Sequence, residues 1–344
     1  LEQLAPGRRI DLISFEKAED WKDKAKRKAM QARMKAAGIH WHPLRYHRRM
    51  SALATSYDIA AGSARAVAIA LARKPALVHA RSYVAGLMAL AVKHATRAKF
   101  LFDMRSLYPE ERVDGGLWPA GGRLYRAAKA SEHALLKAAD HVVTLTHASV
   151  DALRSYPALK GRETPISVIP TCADLDRFVP PAARPAEPFV IGHVGTVGTW
   201  YLIDEMMACF KAVKRHRRDA RWLIVNRGEH DLIRAALARH AIPSGDVEAS
   251  PAEVPALIGR MHAGMAIIRP VYSKLASAPT KLAEYLGCGV PCIGNSGVGD
   301  MQAILDGYDV GVALHRFDET AHSAAAAELI DLATDPGIAE RCRR

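Results

Sequence analysis

Short apolar, β-rich runs alternate with longer helical patterns along almost the whole chain, and this alternation restricts the fold more than any other feature. The runs are Ile10–Phe15, Leu77–His79, Lys99–Asp103, His141–Thr144, Ser167–Ile169, Phe189–His193, Trp222–Asn226, Gly264–Ile268 and Val290–Ile293. Alanine-rich helical stretches stand between them, among them Ala60–Ala72, Gly122–Ala139, Asp204–His216 and Asp231–Arg239. Such alternation implies parallel sheets covered by helices on both faces. A chain of 344 residues is long enough for two domains, each with its own core. The boundary is expected around Asp176–Pro188, where Pro180, Pro181, Pro185 and Pro188 punctuate a segment without periodicity. The fold class is therefore α/β, with two Rossmann-like domains over 1–178 and 179–344 and a cleft between them. In such sheets ligands bind at the carboxyl ends of the strands.

The stretch Ala278–Gly294 carries the sharpest chemistry. Pro279 suits the first turn of a helix, Gly287 and Gly289 supply its stop, and Val290–Ile293 follows as a buried strand. Lys281 and Glu284 are three residues apart and share one helical face. The helix start with Lys281 suits a phosphate, and Glu284 can accept two hydrogen bonds from a ribose diol. A surface ion pair on an ordinary helix is the competing reading. Upstream, a strand runs into Gly195-Thr-Val-Gly-Thr199, where glycines let backbone N–H groups approach a phosphate. The third glycine of the dinucleotide fingerprint is missing. Two further strand ends add Arg227 and Arg269, so cations and free N–H groups converge as for a diphosphate. In the first domain, Lys99–Phe102 leads into Asp103 and Arg105. There a carboxylate can assist a hydroxyl nucleophile and a guanidinium can balance a departing phosphate. An Asp–Arg pair that merely fixes the loop is the alternative.

Composition narrows the partners. The formal charge is +12, much of it between Lys17 and Arg49, in Lys22, Lys24, Lys26, Arg27, Lys28, Arg33, Lys35, Arg45, Arg48 and Arg49. A solvated helix face and a surface resting on anionic lipid both fit, whereas no nucleic-acid-binding motif accompanies the charge. No apolar run approaches the ~20 residues that span a bilayer. The five cysteines lack metal-ligand pairing and read as buried apolar groups in a reducing cytosol. No metal site and no cofactor are expected. Asp174-Leu-Asp176 matches a metal-carrying pattern, but nothing near it completes an oxygen cage, and it reads as linker with Asp174 capping a turn before Phe178.

Taken in order, these segments resemble the retaining glycosyltransferases of family 4, which have the GT-B fold. Val168-Ile-Pro-Thr-Cys-Ala-Asp-Leu-Asp-Arg-Phe178, Gly195-Thr-Val-Gly-Thr-Trp-Tyr201 and Pro279-Thr-Lys-Leu-Ala-Glu-Tyr-Leu-Gly-Cys-Gly-Val-Pro291 carry the resemblance over roughly Ile10 to Leu314. It implies a hexosyltransferase-like enzyme with a nucleotide-diphosphate sugar in the second domain and a glycan or lipid-linked acceptor on the first. Donor binding then falls to Gly195, Thr196, Gly198, Thr199, Arg227, Arg269, Thr280, Lys281 and Glu284, with Asp103 and Arg105 as catalytic candidates. Two features depart from the family pattern. Ala276 stands where a paired glutamate is usual, and Trp200 and Tyr201 replace an arginine–lysine pair after the glycine loop. The first strand expected ahead of Leu1–Leu4 and the helical return beyond Arg344 are missing, so the sequence reads as a piece of a longer chain. The resulting expectation is an enzyme of cell-surface polysaccharide or glycolipid synthesis in the cytoplasm, peripheral on the membrane face. A nucleotide-sugar epimerase and a non-catalytic sugar-nucleotide-binding scaffold are the alternatives.

Overall fold

The computed structural model describes residues 9–47, 52–184, 186–243, 246–247 and 249–344. Arg48, Arg49, Pro185 and the Leu1–Leu4 region lie outside the described residues. The chain forms two compact units. The first comprises Leu1–Met104, Ala127–Val143 and Pro157–Ser167; the second comprises Arg105–Arg126, Thr144–Tyr156 and Val168–Arg344.

The first unit holds two sheets. β1 (Ile10–Glu16) pairs in parallel with β2 (Ile39–Arg45), from Ile10 opposite Ile39 to Glu16 opposite Arg45. β3 (Leu77–Arg81), β4 (Lys99–Asp103), β5 (His141–Thr144) and β6 (Ile166–Val168) form a separate four-stranded sheet in that order. β2 lies inside the basic stretch and was not among the expected strands. Its Pro43 is tolerated because, among the described residues, the strand has a partner on one side only. The core of this unit gathers Phe100, Phe102, Leu135, Leu136 and Val142, all fully buried. The basic residues occupy a helix, Lys24–Ala36, opened by the Asp23 carboxylate accepting from the Lys26 N–H at 2.9 Å. Met30 and Met34, one turn apart, are half-buried, while Lys24, Lys26, Lys28, Arg33 and Lys35 are exposed. Among the described residues no helix is long and apolar enough to cross a membrane.

The second unit is built on a six-stranded parallel sheet of β7 (Val190–Val194), β8 (Arg221–Val225), β9 (Asp246–Val247), β10 (Ala263–Met265), β11 (Cys292–Asn295) and β12 (Gly311–Leu314). Their spatial order is β12-β11-β10-β7-β8-β9. The chain therefore runs outward from β7 to one edge, returns, and runs from β10 to the other edge. The reversal falls between β7 and β10, where a doubly wound sheet offers its ligand crevice. β7, β8, β10 and β11 are buried along nearly their whole length, which is why they read as continuous apolar runs.

The expected boundary at 178 differs from the observed division, because the continuous part of the second unit begins at Val168. Two shorter segments join it through specific bonds. Asp114 accepts from the Ser273 N–H at 3.0 Å and from the Arg269 guanidinium, and Glu111 pairs with Lys274 at 3.1 Å. The Asp300 carboxylate takes the N–H groups of His147 and Ala148 at 2.6 and 2.9 Å. The strand expected over Gly264–Ile268 ends at Met265. Beyond it, Asn295 and the segment after the glycine loop take over the hydrogen bonding. Ile268 donates its N–H to Asn295 Oδ1 at 2.7 Å, and Ile267 O accepts from Leu202 at 3.0 Å.

Candidate donor-binding site

β7 and β10 stay paired only as far as Gly192 opposite Gly264. Past that point Tyr285 is wedged between them. Its hydroxyl accepts from the Val194 N–H at 2.9 Å and donates to Met265 O at 3.3 Å. The ring fits because Gly264 has no side chain: a Cβ there would lie 2.5 Å from the Tyr285 ring. One buried tyrosine thus parts the two strands while satisfying the backbone groups it exposes, and the crevice at the reversal point opens at their carboxyl ends.

The glycine loop leaves β7 with Gly195 at φ +94°, a region that favours glycine. Its N–H donates to Val225 O at 2.8 Å, which ties the loop to the end of β8. Glu229 Oε2 accepts from the Val197 N–H at 2.8 Å and from Asn226 Nδ2 at 3.0 Å. Asn226 also donates to Gly195 O at 2.9 Å. Asn226 and Glu229 therefore shape the loop from behind, and the Val197 N–H is committed to a protein carboxylate. Thr196 and Thr199 are exposed at the loop surface, Thr199 with φ +57°.

Lys281 and Glu284 sit on the helix Thr280–Gly287, where Pro279 is the cap residue and Thr280 is exposed at the first position. Lys281 is only 7% exposed. Its ammonium lies 3.6 Å from where a Gly195 Cβ would stand, directly beneath the loop. It is 3.1 Å from His193 Nε2 and 3.5 Å from the centroid of the Tyr201 ring. Burial drives the Lys281 pKa well below the usual lysine value. Burial, then the neighbouring lysine, lowers that of His193 to about 3. Glu284 is half-buried, and desolvation raises its pKa against the attraction of Lys281 and Arg177.

A cavity of about 270 Å³ opens at the ends of β7 and β8, lined by Arg177, Phe178, Gly195, Arg227, Pro251 and Glu284 among others. It joins three of the expected donor residues, Gly195, Arg227 and Glu284, in one pocket. Its floor and walls are largely apolar, with a carboxylate and two guanidinium groups at the edge, a composition suited to a nucleoside. Arg177 and Phe178 come from the Asp174–Phe178 segment, expected to be linker. In that segment the Asp174 carboxylate accepts from the Asp176 N–H at 3.1 Å, and Asp174 O accepts from Phe178 at 2.8 Å. This turn carries Arg177 and Phe178 to the pocket.

Arg269 lies apart from that pocket lining. Its guanidinium stacks on Trp200 at 5.1 Å and donates to Asp114 O. Lys274, which the sequence reading did not single out, places its ammonium 3.6 Å from the centroid of the Trp200 ring. In the first unit, Asp103 ends β4 and is buried. Its Oδ1 has no hydrogen-bond partner among the described residues, and Oδ2 is 3.7 Å from His79 Nε2. Arg105, which belongs to the second unit, follows with φ +65°, a left-handed conformation uncommon for a side chain this large.

The doubly wound sheet with its pocket at the carboxyl ends of β7 and β8, together with a second parallel α/β unit, is the architecture of GT-B glycosyltransferases. Residues 3–172 match the family described as a glycosyl transferase 4-like domain. Residues 3–172 are accordingly a glycosyl transferase 4-like domain, and the chain has the GT-B fold. Among solved structures it is similar to sucrose-phosphate synthase from Thermosynechococcus elongatus, with a TM-score of 0.69 and 17% identity, covering 98% of this chain and 94% of that one. Anabaena Alr3699/HepE in complex with UDP and glucose matches with a TM-score of 0.63 and 13% identity over 97% and 93% of the two chains. A putative UDP-N-acetylglucosamine 2-epimerase from Listeria monocytogenes matches with a TM-score of 0.58 and 11% identity over 98% and 91%. At these identities the likeness is one of fold. No curated protein matches the sequence.

Proposed function

We propose that this glycosyltransferase moves a hexose from a nucleoside-diphosphate sugar to a hydroxyl of a glycan or lipid-linked acceptor, with retention at the anomeric carbon, in cell-surface polysaccharide or glycolipid synthesis. The observation that carries this reading is the pocket of about 270 Å³ that combines Glu284, Arg227 and Gly195, with Lys281 beneath the loop. Glu284 accepts hydrogen bonds from the ribose diol. Lys281 and the backbone of Gly195–Thr199, with the side chains of Thr196, Thr199 and Thr280, take the diphosphate. In the transfer step the bond from the anomeric carbon to the diphosphate oxygen breaks and the bond to the acceptor oxygen forms. The acceptor proton passes to the departing phosphate. That route relies on electrostatic stabilisation of the leaving group more than on a strong protein base. Asp103, with its unpartnered oxygen, orients the acceptor hydroxyl, and Arg105 supplies positive charge. The counter-charge is assigned to side chains, so full activity in EDTA is the expected result.

The basic helix Lys24–Ala36 adds a second element to the proposal. Its methionine face is half-buried, so adsorption to anionic lipid on the cytoplasmic face would rest on the exposed lysines and Arg33. A thermal-shift screen of UDP-, GDP- and ADP-sugars tests the donor site, since a ligand at a hundred times its Kd stabilises by about 2.7 kcal/mol. Lys281→Ala and Glu284→Ala should each weaken the shift, and unchanged affinity in both would refute the site. Sugar-nucleotide turnover in the absence of any acceptor would replace transfer with epimerisation.

A further inference from the structure

From Gly195 to Leu202 the chain contains no lysine or arginine, so the charge for a diphosphate at this loop must come from elsewhere. The adjacent rings of Trp200 and Tyr201 gather three cations from a later part of the chain. Lys281 lies 3.5 Å from the Tyr201 centroid, Lys274 lies 3.6 Å from that of Trp200, and the Arg269 guanidinium lies 5.1 Å from it. Cation–π contacts of significant energy occur about once per 70–80 residues. Three on one dipeptide therefore mark a built feature.

The three cations are not equivalent. Lys274 is paired with Glu111 and so is neutralised in place. Arg269 donates from its guanidinium to Asp114 O and from its backbone N–H to Trp200 O at 2.8 Å. These contacts brace the Trp200 ring. Lys281 differs: among the described residues it forms no ion pair, and its hydrogen-bonding neighbour is His193 Nε2 at 3.1 Å. His193 is itself fixed, with Nδ1 3.1 Å from Met265 O and Nε2 2.9 Å from Thr196 O, and it meets Tyr201 edge-on at 5.2 Å. A buried ammonium without a counter-ion is costly. It lies under Gly195, where no Cβ blocks the way to a ligand oxygen.

We propose that Tyr201 and His193 are positioning residues that hold the Lys281 ammonium beneath Gly195 for the β-phosphate of the donor. The inference rests on the donor-site reading above and deepens it. The π face of Tyr201 offsets part of the cost of burying the ammonium and adds no negative charge that would compete with the phosphate.

The test is calorimetric binding of UDP and UMP, GDP and GMP, and ADP and AMP to the full chain. For the nucleoside that binds, wild type should prefer the diphosphate by at least about tenfold. Lys281→Met and Tyr201→Leu should bring that ratio close to one and leave monophosphate affinity almost unchanged. Tyr201→Phe should preserve the ratio, because the ring face remains. Pentafluorophenylalanine at position 201 keeps the shape of a ring but removes its negative face, so it should lose the ratio even if Tyr201→Leu does not fold. Equal ratios with phenylalanine and its pentafluoro analogue would overturn the proposal. A wild type that binds diphosphate and monophosphate equally would overturn it too, with the nucleoside site intact. A wild type that binds none of the six would overturn the donor reading along with it.

Discussion

Removing a single oxygen atom, in Tyr285→Phe, probes the device that opens the crevice between β7 and β10. The side chain is fully buried, and its hydroxyl accepts from the Val194 N–H at 2.9 Å and donates to Met265 O at 3.3 Å. Burial holds the phenol pKa well above its usual value, so the hydroxyl keeps its proton. Phenylalanine retains the ring packing but leaves the Val194 N–H unpaired. Met265 O still has His193 Nδ1 at 3.1 Å. One orphaned buried donor costs about 1–3 kcal/mol. For a unit of roughly 200 residues, each kcal/mol lowers the midpoint by about 2–4 °C, so Tm should fall by about 2–12 °C. Circular dichroism against temperature measures this, with exposed Tyr308→Phe as a control that should leave Tm unchanged. Hydrogen exchange at the Val194 amide should accelerate. A Tm within 1 °C of wild type, with Val194 protection retained, would refute the wedge; the ~1 °C criterion lies below the smallest shift expected.

Three further outcomes follow from the geometry. Gly195→Ala places a side chain at φ +94° above Lys281, so UDP-, GDP- or ADP-dependent thermal stabilisation should be lost; a retained shift would contradict the role of that gap. His193 is held at a pKa of about 3 by burial and then by Lys281, below the ~6.5 of an unfolded chain. The unfolded state therefore binds more protons between those values, and this contribution to stability is present above pH ~6.5 and lost as pH falls toward 3. Urea denaturation at pH 7, 5.5 and 4.5 should show a shallower pH dependence in His193→Phe, and parallel curves would argue against it. Flotation with anionic liposomes should be strong at low salt, weak at high salt, and abolished when Lys24, Lys28 and Lys35 are changed to Glu; salt-independent flotation would refute charge-driven adsorption.

The ease with which strands could be located from sequence followed their burial. β4 and β5 stand at the expected Lys99–Asp103 and His141–Thr144, since each is an apolar run bounded by polar residues. β2 escaped notice because His40, His42 and Pro43 interrupt its pattern within a charge run. β9 has only two residues, and β12 is a four-residue Gly-Val-Ala-Leu segment with little to distinguish it from a buried helix turn. At the site, Gly195, Lys281 and Glu284 stood out because each belongs to a local motif. Glu229, His193 and Arg177 did not, and Tyr201 stood out only as a departure from the family pattern, because their significance lies in partners distant along the chain.

Period and composition alone determined that the chain forms parallel α/β units, where most strands begin, and which turn and helix start carry the candidate donor-site residues. These properties arise between residues a few positions apart, where backbone preference and side-chain alternation act directly. Tertiary structure decided which strands became neighbours, and so placed the crevice between β7 and β10. It also decided what surrounds the lysine. His193 and Lys281 are 88 positions apart, and Glu229 reaches the Val197 N–H across 32. Contacts across such separations depend on how helical crossovers return each strand to the sheet, and no local spacing records that order. The sequence alone therefore marked Lys281 as a cation at a helix start. Its burial beneath Gly195, against an aromatic ring, arises only where β7 and β10 part.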